Sequence, residues 1–105
     1  MNTYTPDSWA VLEISDENGF SHYRILCSFY GGYLGSDSWK ISSGFDCLSE
    51  ISETTDDYSI PQSSGSLYKL HKGGDRFSGV MLAILESLNK SVEGTSKIIK
   101  VISIC

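Results

Sequence analysis

The chain has 105 residues, of which 13 are acidic and eight are Lys or Arg, and its formal net charge at pH 7 is -5. This length predicts a single domain over residues 1–105, and a chain of this size can fold without a metal or a disulfide. The negative balance disfavours direct binding to nucleic acids, since Lys and Arg carry that affinity, and no apolar run approaches the roughly 20 residues of a membrane span.

The first predicted elements are two strands joined by a tight turn. Apolar residues occupy both faces of Trp9–Ser15, which is typical of a strand covered on each side. The segment Asp16–Gly19 contains Asn-Gly, which favours a type I′ hairpin turn. A second strand over Phe20–Phe29 should follow, and we expect its Tyr23 face to point inward.

A glycine-rich block interrupts the strands after this hairpin. Three glycines between Tyr30 and Ser36 break the extended pattern and allow close backbone approach. The pattern resumes over Asp37–Ser42, where we expect Trp39 and Ile41 to point inward.

The middle of the chain predicts short strands separated by polar turns. Phe45–Ile51 and Tyr58–Ile60 are predicted strands, and the acidic segment Ser52–Asp57 between them is predicted to be a loop. Ser63–Gly65 forms a turn before another alternating strand over Ser66–His71.

One helix is strongly indicated near the C-terminus. Its apolar stripe, at spacings of three and one, consists of Phe77, Val80, Met81, Ile84, Leu85 and Leu88. Asp75 or Ser78 is the predicted N-cap, and Lys97–Cys105 is predicted to be a closing strand. These elements predict an α+β fold, with a bent, mainly antiparallel sheet of about five to seven strands packed against one amphipathic helix.

Catalytic and cofactor motifs are missing from the sequence. No G-x-S-x-G elbow surrounds Ser64 or Ser66, and His22 and His71 lie inside predicted strands without metal-ligand spacing. Neither a phosphate loop nor a dinucleotide fingerprint is present. We therefore expect a protein that is not an enzyme and that has no catalytic residues, no metal site and no cofactor.

The three cysteines indicate a reducing compartment. Cys27, Cys47 and Cys105 are odd in number and far apart, with no C-x-x-C pair, which argues against a disulfide framework and a structural zinc site. The N-terminal segment also lacks a basic region followed by an apolar run. The expected location is the cytoplasm.

Two blocks remain as a candidate binding site. Between Tyr30 and Gly44, Tyr33 and Trp39 offer flat apolar faces for a base or a partner. Between Ser63 and Arg76, hydroxyls lie close in sequence to cations, and Gly73-Gly74-Asp75 should open a helix whose N-terminus favours an anion. Together they predict a pocket for a nucleotide-like anionic ligand, formed by Tyr33, Trp39, Ser64, Ser66, Lys69, His71 and Lys72.

Simpler interpretations stand beside this hypothesis. The aromatic residues can belong to the core, the Ser-Gly turns are ordinary hairpin chemistry, and the lysines can guard a strand edge. Between Asp46 and Asp57 there are five acids and no base, which indicates either a solvated loop or a contact surface for a basic protein.

An ordered series of short motifs resembles a group of small uncharacterised proteins from tailed bacteriophages and prophages. The motifs are Tyr23-Arg24-Ile25-Leu26, Gly31-Gly32-Tyr33-Leu34, Asp37-Ser38-Trp39-Lys40, Ser43-Gly44, Ser64-Gly65-Ser66-Leu67-Tyr68 and His71-Lys72. The resemblance implies a setting and no site residues. In the host bacterial cytoplasm, such a protein would counteract a defence process.

Two mechanisms fit that setting. An oligomer of the chain could sequester a nucleotide-like ligand, or the chain could block a host protein surface. A structural role in the virion or its assembly, and a small enzyme of unrecognised type, remain as alternatives.

Overall fold

The fold was determined from a computed structural model that describes residues 2–29 and 38–104. These residues form one α-helix and eight strands. They are β1 (Thr3–Tyr4), β2 (Ser8–Ser15), β3 (Ser21–Phe29), β4 (Ser38–Ile41), β5 (Ser52–Glu53), β6 (Asp57–Pro61), β7 (Leu67–His71), α1 (Gly79–Val92) and β8 (Ile98–Ile102). The predicted α+β class is confirmed, but the strands form two sheets and exceed the expected number.

The central sheet has the strand order β4-β3-β2-β8, and all its neighbours are antiparallel. Its centre is the predicted hairpin, in which Ser8 lies opposite Ser28 and Ser15 lies opposite Ser21. β8 pairs with β2 from Val11 to Ser15, so it covers the second half of that strand. The sequence predicted each of these four strands.

The outer sheet has the strand order β1-β7-β6-β5. The β6–β7 hairpin is antiparallel, with Asp57 opposite His71 and Pro61 opposite Leu67, whereas β1 lies parallel to β7. β1 and β5 contain two residues each. Since such short strands exist only by pairing with a longer neighbour, no periodic pattern marked them in the sequence.

The two sheets pack face to face around the main core. This core is formed by Trp9, Val11, Ile25, Cys27, Phe45, Tyr58, Ile60, Tyr68 and Leu70. Aromatic rings bridge the layers: the Trp9 and Tyr58 centroids are 6.0 Å apart in an edge-to-face arrangement. The expected inward face of β3 is therefore correct, because Ile25 and Cys27 belong to this core.

Helix α1 covers the opposite face of the central sheet. Successive strand residues point to opposite faces, so Ala10, Leu12 and Leu26 turn away from the outer sheet. They form a second buried cluster with Met81 of α1, and Phe77 packs against its margin. The molecule therefore has three layers, which are the outer sheet, the central sheet and the helix.

The β2–β3 turn differs in detail from the prediction. Gly19 N–H donates to Asp16 O, and Asp16 N–H donates to Phe20 O, so the loop has three residues. Gly19 adopts a φ of 82°, which suits the left-handed residue of such a loop. The Asp16 carboxylate accepts from Asn18 and Phe20 N–H, which favours this geometry over the expected two-residue turn.

Segment 45–51 was predicted to be a strand, and this was wrong. Phe45 makes an isolated bridge to Tyr23, and Leu48–Glu50 forms a 3₁₀ turn. The Glu50 carboxylate accepts from the N–H groups of Asp46 and Cys47, which stabilises this turn. A local side-chain hydrogen bond thus competed successfully with strand pairing.

The orientation of Trp39 also differs from the prediction. Ile41 packs against the helix-side cluster, but the Trp39 side chain is 46 % exposed. The glycine-rich block and the expected start of this strand at Asp37 lie outside the described residues. Neither the helix nor the second sheet buries Trp39.

Candidate functional site

The two predicted serines lie in the β6–β7 turn, where they join the two sheets. Ser43 Oγ donates to Ser64 Oγ at 2.9 Å and accepts from Ser64 N–H at 3.1 Å. Ser64 Oγ in turn donates to Ser66 Oγ at 3.3 Å. These hydroxyls bind one another, so they already have partners within the fold.

Lys69 and His71 lie on the exposed face of the outer sheet. Alternation along β7 buries Tyr68 and Leu70 and turns both basic residues to the other side. His71 Nδ1 lies 2.9 Å from Asp57 Oδ1 on the neighbouring strand. Lys69, opposite Ser59, makes no ion pair within the described ranges.

Lys72 is held by an acidic residue. Its Nζ lies 2.6 Å from Glu53 Oε2 and 5.2 Å from the centroid of the Tyr58 ring. The acidic and basic segments that looked separate in the sequence therefore partly neutralise each other. An anionic ligand would have to compete with the Glu53 carboxylate for this cation.

The predicted site residues do not converge on one place. The serine turn and His71 lie at opposite ends of β7, and five residues of extended strand separate Ser66 from His71 by about 17 Å. Trp39 belongs to β4 in the other sheet, and Tyr33 lies outside the described residues. Three cavities bordered by the described residues are lined by other side chains.

The Gly73-Gly74-Asp75 segment does not open the helix as expected. Helix α1 begins at Gly79, and Ser78 is its N-cap, with Oγ accepting from Met81 N–H. Gly74 packs against Trp9 instead, because a Cβ atom at this position would lie 2.9 Å from Trp9 Nε1, and its carbonyl accepts from Trp9 N–H at 2.9 Å. The predicted anion site at this helix start is therefore at least six positions along the chain from Lys69, His71 and Lys72.

A different surface concentrates polar and apolar side chains beside the β2–β3 turn. A cavity of about 370 Å³, here called the hairpin cleft, is lined by Ile14, Ser15, Asp16, Phe20, Ser21, His22, Asp46 and Lys97. Two carboxylates, one ammonium group and one imidazole therefore share a cleft with two apolar walls. Its size lies within the range of small-molecule and side-chain sites.

The position of each wall follows from the local structure. The Asp16 turn exposes Phe20, whose side chain is 74 % accessible. Asp46 is placed beside β3 because Phe45 and Tyr23 exchange backbone hydrogen bonds of 2.8 and 2.9 Å. Their rings also stack with centroids 5.4 Å apart, so two independent contacts fix this junction.

The exposed carboxylates continue from the hairpin cleft along the acidic segment. Asp46, Glu50 and Asp56 are exposed, and Leu48 between them is 43 % exposed. Within the part of the chain that the structure describes, Asp46 takes part in no ion pair. This arrangement of acidic groups around exposed apolar side chains suits contact with a basic protein surface.

The two described cysteines have contrasting environments. Burial raises the pKa of the Cys27 thiol to about 12, while the nearby Lys40 partly opposes that shift. Cys47 is exposed in the 3₁₀ turn, and the hydrogen bond with Ser49 at 2.9 Å lowers its pKa. Cys27 thus acts as a packing residue, and Cys47 is the accessible thiol.

A metal-ligand group and a membrane-spanning helix are both absent from residues 2–29 and 38–104. No group of three or more His, Cys, Asp or Glu side chains there could hold a metal ion. The helix in these ranges is too short to cross a membrane.

Sequence reasoning did not identify the hairpin cleft. Its lining comes from the β2–β3 hairpin, the junction at residue 46 and the residue before β8, which are distant in the chain. The available signal was Phe20, a large apolar residue directly after an Asn-Gly turn.

Comparisons with protein-family models, curated proteins and solved structures gave no match to this chain.

Proposed function

We propose that this chain is a non-enzymatic binding protein that blocks a basic surface of another protein. The observation that supports this function best is the exposed Phe20 beside the carboxylates of the hairpin cleft. An apolar ring that is 74 % accessible gains free energy when a partner covers it. Asp16 and Asp46 line the same cleft and can receive cationic groups.

The cleft suits a Lys or Arg side chain of the partner. Such a side chain has an apolar stem, which would pack on Ile14 and Phe20, and a charged head for the Asp46 carboxylate. The chain's net charge of -5 would speed the encounter with a basic protein. Lys97 at the rim would disfavour partners with an unbalanced positive charge close to it.

The bacteriophage resemblance supplies the proposed biological setting. In that setting the blocked partner is a host protein in the bacterial cytoplasm, and blocking it counteracts a defence process. The nucleotide-sequestration mechanism has less support, since Lys72 pairs with Glu53 and His71 contacts Asp57. A nucleotide would have to displace both contacts.

Capture from host lysate tests the proposed function. The immobilised protein should retain a basic partner at low salt and release it at high salt, because screening weakens exposed charge pairs. Phe20→Ser and Asp46→Asn should each reduce the captured amount severalfold. Leu82→Ser and Glu86→Gln are matched controls, since they change exposed residues on α1 and should leave capture unchanged.

Two results would contradict the proposal. Either the protein captures no partner at low salt, or both cleft variants capture as much as the unmodified chain. A melting temperature that rises with a cyclic or linear nucleotide, and that no longer rises in Lys72→Ala, would favour sequestration instead.

A further inference from the structure

Within residues 2–29 and 38–104, β8 leaves one edge of the central sheet unpaired. Among the described residues it pairs with β2 alone, and Ile98 and Val101 are 54 % and 48 % exposed. Strand edges in soluble proteins are usually shortened, charged or covered, because their unpaired backbone groups bind other strands. This edge has five residues, four of them large and apolar.

The backbone hydrogen bonds show which groups of β8 point outward. Tyr23 and Phe45 exchange hydrogen bonds at the edge of β3 that faces away from β2. The backbone N–H and C=O groups of successive residues point to opposite edges of a strand, so the even-numbered residues of β3 bond β2. Even-numbered residues of β2 lie opposite them and bond β3. The odd-numbered residues of β2 therefore bond β8 on the other side. Lys100 therefore bonds β2, while the N–H and C=O groups of Ile99 and Val101 point to the open edge.

The sequence of β8 is nearly the same in both directions. Ile98-Ile99-Lys100-Val101-Ile102 places an aliphatic residue at each equal distance from Lys100. In an antiparallel pair of two copies centred on Lys100, Ile99 lies opposite Val101 and Ile98 lies opposite Ile102. The outward groups of Ile99 and Val101 then form the hydrogen-bonded pairs.

At the centre of this pair, each lysine has an acidic residue opposite it on β2 of its own copy. Two Lys100 side chains facing each other would repel, but Glu13 lies directly opposite Lys100 in the β2–β8 pair. Across the joined sheets the row becomes Glu13, Lys100, Lys100 and Glu13. Each ammonium group thus has a carboxylate neighbour, and this self-complementarity favours a second copy over an unrelated strand.

We propose that two copies of this chain pair through β8 to form a homodimer with one continuous central sheet. The four strands of each copy join into eight, a width that open sheets commonly reach. The interface is isologous, as a two-fold axis through Lys100 requires. The hairpin cleft is a separate surface, so this inference does not depend on the proposed binding function.

Sedimentation over a concentration series tests the dimer. The unmodified chain should shift from 11.5 kDa towards twice that mass as its concentration rises. Val101→Lys should raise the dissociation constant roughly tenfold or more, because it adds a charge opposite Ile99 and places the two added lysines diagonally across the β8 pair on one face of the sheet. Leu82→Lys introduces the same charge on exposed α1 and should leave the dimer unchanged.

A charge exchange keeps the test independent of folding defects. Lys100→Glu should weaken the dimer, since four carboxylates then lie in one row, and Glu13→Lys combined with Lys100→Glu should restore it. The proposal is overturned if the unmodified chain stays at the monomer mass throughout, or if Val101→Lys dimerises as well as the unmodified chain. Partner capture by Val101→Lys should be unaffected, which separates this result from the test of the hairpin cleft.

Discussion

The two faces of the central sheet are covered in different ways. Towards the outer sheet, Val11, Ile25 and Cys27 are fully buried among residues from both sheets. Towards α1, Met81 is the buried helix residue, and Leu85 at the cluster margin is half-buried. Leu12 and Leu26 on the α1 side are buried as fully, so the difference lies in the covering layers. The outer sheet buries more apolar side chains than α1 does and should therefore contribute more to stability.

The proposed binding surfaces lie outside both buried clusters. The candidate surfaces lie at margins of the layers: the hairpin cleft at one end of the central sheet, and β8 at one side of it. Substitutions in the main core between the two sheets, here called the sandwich core, should therefore change stability. Substitutions such as Asp46→Asn should change binding at nearly constant stability.

Truncation of one leucine in each covering layer tests most directly whether the outer sheet and α1 contribute unequally to stability. Leu70→Ala removes a fully buried side chain of the sandwich core and should cost about 2–5 kcal/mol of unfolding free energy. Leu85→Ala removes a half-buried side chain of the helix layer and should cost less than about 2 kcal/mol. Urea unfolding of both variants measures the difference, and equal losses would contradict unequal layers.

Gly74→Ala should have the next largest effect. A Cβ atom at this position would lie 2.9 Å from Trp9 Nε1 and 3.2 Å from His71 O. These two atoms form a hydrogen bond of 2.8 Å, so the added methyl group should cost about 1–3 kcal/mol. Gly79→Ala is the matched control, because no atom lies within 4 Å of its added Cβ; thermal melting should show no loss there.

Removal of the helix cap should have a smaller effect, confined to the helix layer. Ser78→Ala loses the hydrogen bond from Met81 N–H and should cost about 1 kcal/mol, as N-cap substitutions usually do. Ser87→Ala changes an exposed serine within α1 and should be neutral or slightly stabilising. Equal unfolding free energies for both variants would argue against Ser78 as the cap.

Alkylation of the cysteines should distinguish a core position from a surface position without a change in stability. Iodoacetamide at pH 8 should modify Cys47 and spare Cys27, since the pKa of buried Cys27 is about 12 and that of Cys47 is lowered. Ser49→Ala should raise the pKa of Cys47 and slow its alkylation near neutral pH, with a smaller effect at high pH. Peptide mass spectrometry measures both sites, and rapid labelling of native Cys27 would contradict its burial.

Several elements could be predicted from the sequence because local patterns specify them. Alternation defined β2, β3, β7 and β8, and the spacing of apolar residues defined α1. β1 and β5 were missed because two-residue strands depend on their neighbours. The expected strand over 45–51 failed because Glu50 bonds the local backbone.

The candidate site was less predictable than the fold. Ser64, Ser66 and His71 are near one another in sequence, but an extended strand separates the turn from its far end. The pairing of Lys72 with Glu53 across 19 positions also changed the charge that a ligand would meet. In the opposite direction, folding brought Phe20, Asp46 and Lys97 into one cleft.

The sequence by itself determined the class of fold, the main strands, the helix and the acidic balance, because these depend on composition and on periodicity between near neighbours. Tertiary structure alone decided the division into two sheets, the neutralisation of the basic cluster and the assembly of the hairpin cleft. Those features depend on contacts between residues distant in the chain, and the free energy of such contacts is set by which surfaces the layers bury together.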